Sequence, residues 1–353
     1  VTALHILDEC DLSEEEIRSE TKKIDAMLEA AITEKPEAGT DMTRLIANPT
    51  FKDGFEGWEG KVGTGYQGAE GSEMYAAECW NSTMDMYQTI SGLANGIYEV
   101  RINGVYRPYP GDIDLLNTNY MATLTANGMT NYFQVLVEDA IPMSEAVDGF
   151  NCNLTGEYPD YEVTDFNEVD GYVPRGLVGY CRAFENGRYE NAILANVTDG
   201  TLKIGICEVG SGFENDAFGF GNVRLFYHGT LEQAEAGLDN VLESQAARAN
   251  TILNHYEPDF GSDYAVYPNF SNEIKQKLQA ALDAVSSTTD NEAKLALIQQ
   301  FSDLFDETIR CKKGYINVIR EFDKLQAMAD DLQAVFTDEQ ANEINTLMEE
   351  LRS

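Results

Sequence analysis

The residues of this chain best suited to chemistry are a tryptophan and its polar neighbours, Glu78-Cys79-Trp80-Asn81-Ser82-Thr83, together with Tyr106-Arg107-Pro108-Tyr109 further on. A flat indole beside carboxylate, amide and guanidinium groups suits a sugar ring, which offers apolar C–H faces and hydroxyls together. In that reading Trp80 is the platform, Glu78, Asn81 and Arg107 bind hydroxyls, and Tyr106 and Tyr109 form a rim. The stretch from Met143 to Gly176 would close over part of the site. A second reading has Trp80 plugging the end of a β-sandwich and Arg107 bonded to one of the chain's many carboxylates. Sequence alone leaves both open.

Other chemistries find less support. The histidines His5, His228 and His255 lie far apart, and none sits in a Gly-x-Ser-x-Gly or cysteine-nucleophile context. His228, at the end of the last strand-like segment, reads as a domain-junction residue. Gly219-Phe220-Gly221 lacks both the third glycine and the following helix of a dinucleotide loop, and there is no P-loop. Carboxylate pairs arise by chance among 61 acidic residues. A glycosidase needs two of them about 5–10 Å apart across a cleft, which no sequence measures. The six cysteines, at positions 10, 79, 152, 181, 207 and 311, form no C-x-x-C pair and read as unpaired small hydrophobes. The expectation is a protein without catalytic activity.

With 61 acidic against 24 basic residues, the formal charge of −37 repels phosphate backbones and anionic lipid, which argues against nucleic-acid and membrane-surface partners. No apolar run approaches the roughly 20 residues of a membrane span. The chain begins at Val1 without Met, a basic n-region or an apolar h-region. That leads to the expectation of a mature or truncated form, with a signal or lipid anchor removed, in a secreted, periplasmic or cell-surface location.

The elements that must position these residues follow from periodicity. Ser13 opens a capping box with Glu16, and Ile17, Ile24, Leu28 and Ala31 recur at helical spacing until Lys35-Pro36. The resulting helix, about residues 13 to 34, needs a surface on which to dock its apolar stripe. From about Arg44 the period becomes two. Tyr98, Val100 and Ile102 alternate with Glu99, Arg101 and Asn103, which predicts a core-facing and an outward-facing set. The same parity turns Arg107 outward unless Gly104 marks a bulge. Segments 122–126, 133–137, 193–197, 201–207 and 222–227 read as further strands, with Asp199-Gly200 as a hairpin turn and Asn95-Gly96 as another turn. Met143 to Gly176 has no such rhythm, although Tyr158, Tyr161 and Tyr172 argue for partial order. Beyond His228-Gly229 the pattern predicts about five helices: 231–256, 272–286, 289–309, 315–336 and 337–351. Thr289–Glu292 and Thr337–Gln340 are capping boxes.

Several motifs form a set: Asn48-Pro49-Thr50-Phe51, Phe55-Glu56-Gly57-Trp58, the run from Asp85 to Val100, Val105-Tyr106-Arg107, Phe184 to Asn191, and Phe218 to Leu225. Together they resemble the ligand-binding jelly rolls of the galactose-binding-domain-like superfamily, in the version carried by surface and secreted proteins of gut Bacteroidetes. The resemblance implies a buried core tryptophan, Trp58. It also implies a structural calcium ion near the first and last strands, for which Asp53, Glu56 and Asp216 would supply oxygens. Asp216 would stand in for the aspartate that Phe220-Gly221-Asn222-Val223 lacks. No other cofactor is expected.

The architecture expected is α+β and multidomain. Residues 1–43 form an N-terminal helix packing on the bundle or sandwich, 44–228 a jelly-roll β-sandwich, and 229–353 a C-terminal antiparallel helical bundle. The function expected is non-catalytic carbohydrate binding or adhesion, with a glycan or polysaccharide as partner and other surface proteins bound through the bundle. The alternatives are accessory domains of a glycoside hydrolase or other polysaccharide-processing enzyme, and a structural protein–protein interaction module.

Overall fold

The structure, a computed structural model, describes residues 13–34, 36–107, 122–133, 140–166, 169–209, 216–254, 270–332 and 336–352. In chain order the first elements are α1 (Glu14–Glu34), β1 (Thr40–Asp41), β2 (Glu59–Lys61), β3 (Gly65–Gly68), β4 (Tyr75–Trp80), β5 (Met84–Ser91) and β6 (Gly96–Arg107). Then come β7 (Ala122–Ala126), β8 (Met129–Phe133), β9 (Ile141–Pro142), β10 (Tyr161–Phe166), β11 (Val169–Val173), α2 (Leu177–Glu185), β12 (Glu190–Val197), β13 (Thr201–Glu208) and β14 (Ala217–Tyr227). The chain continues through α3 (Glu235–Asn254), α4 (Asn272–Val285), α5 (Asn291–Leu332) and α6 (Asp338–Arg352). The protein is therefore a mixture of helices and antiparallel sheets.

One large sheet has the order β12-β6-β14-β4-β3, with β1 also on β14, and the other has the order β2-β5-β13-β7-β8. Their facing residues share an apolar cluster: Ala77, Cys79, Tyr98, Val100, Ile102 and Phe220 from the first sheet meet Met86, Ile90, Leu124, Ile204 and Ile206 from the second. Trp58 is buried there against Phe51, 5.5 Å between ring centroids, as the resemblance implied. The five cysteines among the described residues are unpaired.

Alternation along β6 puts Tyr98, Val100, Ile102 and Tyr106 in this cluster, joined by Ile97 at the start of the strand. The opposite face departs from expectation, because Glu99 and Asn103 are buried rather than solvated. Glu99 is covered by Arg101 and His228, and Asn103 donates its amide to the Arg188 carbonyl. Farther along the same face a second apolar cluster joins Ala76 and Val105 to Val163, Val173, Tyr180 and Phe184. The aperiodic stretch from Met143 is thus partly ordered as β10 and β11, which pair with each other, and β11 also pairs with β9. It is followed by a helix, α2, that the sequence reading lacked. Neither a side-chain cap nor a long apolar repeat announces that helix, whose N-cap residue is Gly176.

Asp199-Gly200 does not close a hairpin. Strand β12 pairs with β6 in one sheet and β13 with β5 in the other, so the turn carries the chain between sheets. Turn residues report backbone dihedrals, not which strands will pair. The expected strand 133–137 is represented by Phe133 at the end of β8, and the rest lies outside the described residues.

Among the helices, the two segments expected at 289–309 and 315–336 are one element, the 42-residue α5. Gly314 sits within it without breaking the helix, and a Cβ there would meet open space. Its N-terminal cap is Asp290, whose carboxylate accepts the Ala293 N–H at 3.0 Å, rather than Thr289. The boxes at Ser13–Glu16 and Thr337–Gln340 form as predicted. The apolar cluster continues from the sheets into α3, α4 and α5. Tyr132 on β8 packs edge-on against Phe305 at 5.2 Å and donates its hydroxyl to the Arg248 carbonyl. In α1, Ile17 and Ile24 remain 52% and 47% exposed, and the Leu28 side chain lies outside what is described.

Candidate ligand-binding cleft

A cleft of about 390 Å³ opens on the outer face of the first sheet, floored by β4 and β6 and walled by the segment from Glu157 to Val178. Its floor is explained by register. Ala217 of β14 faces Trp80 on one side and Arg107 on the other, and Gly219 similarly lies between Glu78 and Val105. One strand therefore places residues from two distant segments side by side. Gly219 is small for a reason: a Cβ there would lie 2.5 Å from the Tyr180 ring, which α2 lays across this strand.

Three of the residues expected at the site, Glu78, Trp80 and Arg107, line this cleft. The Trp80 side chain is 51% exposed, and its backbone N–H is held by Thr64 Oγ1 at 2.9 Å. Alternation along β4 sends Ala77 and Cys79 to the core and leaves Glu78 and Trp80 on the outer face. Arg107 is only 5% exposed. Its Nη2 donates to the Arg175 carbonyl at 2.7 Å, and its guanidinium carbon lies 5.1 Å from the centre of the Tyr161 ring. The Glu78 carboxyl lies close enough for its charge to interact with that of Arg107. Burial pushes the half-buried Glu78 carboxyl above the usual carboxylate range, with Arg107 pulling in the opposite direction.

The remaining expected residues fall elsewhere. Tyr106 belongs to the core face of β6 by the same alternation that exposes Arg107 to the cleft, and its hydroxyl donates to Asp216 Oδ2 at 2.8 Å. Asn81 follows β4 in the left-handed region at φ 47° and gives its backbone N–H to the Asp216 carbonyl, outside the cleft lining. Tyr109 lies outside the described residues. Asp53 and Glu56 are exposed on the turn before β2, whereas Asp216 is buried at the start of β14. No three His, Cys, Asp or Glu side chains among the described residues converge as a metal-binding group.

The cleft also contains residues that the sequence reading did not single out: Gln67, Glu157, Arg175, Leu177 and Val178. Tyr158 and Tyr161, noted only as signs of order, are part of its wall. Tyr158 is 59% exposed and held at φ 54°, a strained conformation for an aromatic residue. Behind this wall Asp160 is buried and accepts the backbone N–H groups of Asn153 at 3.0 Å and Arg175 at 3.3 Å. Burial outweighs those bonds and pushes its carboxyl up to about 6. The sequence signal was a concentration of tyrosines in an aperiodic stretch, which marks the region without ranking its members.

Chemically, the arrangement offers exposed aromatic faces next to fixed hydrogen-bonding groups. Elsewhere, His228 packs its ring on Gly237 of α3 and bonds Glu99 at 2.7 Å, which places it at the meeting of sheet and helix.

No protein-family model matches the chain, and no curated protein matches it. Among solved structures, the enzymatically active domain of tailspike protein 4 from bacteriophage CBA120 aligns with 8% identity and a TM-score of 0.26. That alignment takes in 52% of this chain and 21% of the tailspike chain. Likeness at that level carries no inference about fold or function.

Proposed function

We propose that the protein is a non-catalytic carbohydrate-binding or adhesion protein of the cell surface or periplasm. Its β region is a galactose-binding-like jelly roll that takes a glycan beside Trp80, and its C-terminal helices form an antiparallel bundle serving as spacer or docking platform. The observation that supports this reading is the half-exposed Trp80 ring in a cleft with Glu78 and Arg107, where an apolar platform and fixed polar groups meet. Sugars need both kinds of surface, and the cleft volume lies within the range of about 300–1,000 Å³ usual for small-ligand sites. Arg107, buried and bonded to the Arg175 carbonyl, gives the site a polar group that does not have to be ordered when ligand binds.

A glycan-array screen followed by isothermal titration of the wild-type protein and Trp80→Ala tests the reading. Removing the platform is expected to weaken binding by about 1–3 kcal/mol. Equal affinity of the two proteins for the selected glycan removes Trp80 from the site, and absence of any glycan ligand overturns the reading.

A further inference from the structure

We propose that the cleft selects sugars carrying an anionic substituent, a carboxylate or a sulfate, through the guanidinium of Arg175; this rests on the glycan-binding reading above.

The argument begins with how this acidic chain uses its other arginines. Among the described residues of the sheets and α2, Arg101 is bonded to Glu99, Arg224 to Glu190, Arg188 to Glu145, and Arg182 is paired with Glu185. With 61 acidic residues available, a carboxylate partner is the ordinary fate of a cation in this chain. Arg175 departs from that pattern. Its guanidinium carbon lies 4.9 Å from the Tyr161 ring centre and 5.8 Å from that of Tyr158, and no carboxylate among the described residues lies within salt-bridge distance. The nearby buried Asp160 accepts the Arg175 backbone N–H and not its side chain. Arg175 is half-buried in the cleft wall, so part of its hydration is already lost.

A second guanidinium reinforces the first. Arg107 shares the Tyr161 ring with Arg175, and the two residues are tied by the bond from Arg107 Nη2 to the Arg175 carbonyl. Arg107 thus brings a second positive charge to the same ring, offset in part by the neighbouring Glu78 carboxyl. The planar donor fork of arginine matches the oxygens of a carboxylate or sulfate, and stacking on tyrosine fixes the fork's plane in advance. The cleft also holds two carboxylates: Glu157 is exposed, and burial disfavours the charged form of Glu78. Trp80 and Tyr158 then provide faces for the sugar ring that carries the anion.

The net charge of −37 makes this claim easy to separate from general charge attraction, because the field of the whole protein repels anions. A preference for acidic sugars has to arise locally. The test is isothermal titration of the full chain with short oligosaccharides in matched sets: neutral, uronate-bearing and sulfated versions of one backbone, across several backbones. The expected result is that the wild-type protein binds at least one acidic member on the order of tenfold or more tighter than its neutral counterpart. Arg175→Gln should abolish that preference, and Arg175→Lys, which keeps charge without the fork, should retain part of it. Circular dichroism confirms that each variant is folded, and if Arg175→Gln is not, Arg175→Lys decides alone. The uronate and sulfate arms identify which anion is bound. Equal affinity for neutral and acidic members, or a preference untouched in the Arg175 variants, overturns the inference. If neutral-sugar binding remains sensitive to Trp80→Ala, the glycan reading survives that failure; binding to no member of any set removes both.

Discussion

Glu99 and Glu78 stand on the same face of the same sheet, near opposite ends of β14, and meet opposite fates. Glu99 pairs across the ladder with Phe226, and Glu78 with Gly219. Burial alone would push the Glu99 carboxyl up, but bonds from His228 and Arg101 outweigh it and hold its pKa below the usual value. At Glu78 burial wins, and the pKa rises despite Arg107. The first end of the face is closed by mutually satisfied charges at the junction with α3. At the second, α2 and the tyrosine-bearing segment leave a cleft with an arginine, Arg175, that has no carboxylate partner among the described residues. The contrast separates charges that hold the fold from charges available to a ligand, although both ends are built from arginine and glutamate.

The comparison can be broken most directly at Glu99. Glu99→Ala leaves Arg101 and His228 without their shared buried carboxylate and is expected to lower stability by about 3 kcal/mol, the low end for breaking a buried ion pair because Arg101 also reaches Glu190. Its folded pKa lies below the ordinary 4.5, so the stabilisation it provides is present above that value and is lost as pH falls through the folded pKa. Urea denaturation from pH 7 to pH 3 should show the variant losing less stability on acidification than the wild type. Equal slopes would mean that Glu99 is not the anchor of this junction.

Glu208 extends the contrast into the interior. Both of its carboxylate oxygens are buried, with the Cys79 thiol as their polar neighbour, and burial outweighs that contact and pushes the group up to about 9. Between 4.5 and about 9 the unfolded chain has released this proton while the folded chain retains it, so its contribution lowers stability as pH rises across that window. Glu208→Gln should therefore stabilise the protein by on the order of 2 kcal/mol at pH 7.5, after allowing for desolvation of the amide, and by nothing near pH 4. A variant no more stable than wild type at pH 8 would contradict the assignment.

Smaller effects belong to the cleft. Glu78→Gln removes a carboxylate whose charged form the fold disfavours, so a gain below about 1 kcal/mol is expected at neutral pH, disappearing below the ordinary carboxylate range. A loss of stability at pH 7 would instead make Glu78 part of the structural charge network. Least of all, Trp80→Ala should change thermal stability by less than about 0.5 kcal/mol, as befits an exposed ring. A large drop in melting temperature would identify Trp80 as a plug of the sheet end and weaken the contrast between the two regions.

Local rules in the amino-acid sequence determined much of this molecule. Alternation along β6 assigned Tyr98, Val100 and Ile102 to the interior and Arg107 to the other face, because successive side chains in a strand must point opposite ways. The capping boxes at Ser13 and Thr337 formed because a helix end must satisfy its own N–H groups within a few residues. Tertiary structure decided what those rules leave free. Alternation names a face but not what covers it, so the burial of Glu99 and Asn103 was not readable from the pattern. The meeting of Trp80 with Arg107 depends on β14 lying between β4 and β6, a pairing between segments more than a hundred residues apart. Arg175 became a candidate only when α2 and the paired strands β10 and β11 fixed its place beside Tyr161. Hydrogen-bond register is non-local, and the same turn chemistry that would close a hairpin at Asp199-Gly200 serves equally well to pass the chain from one sheet to the other.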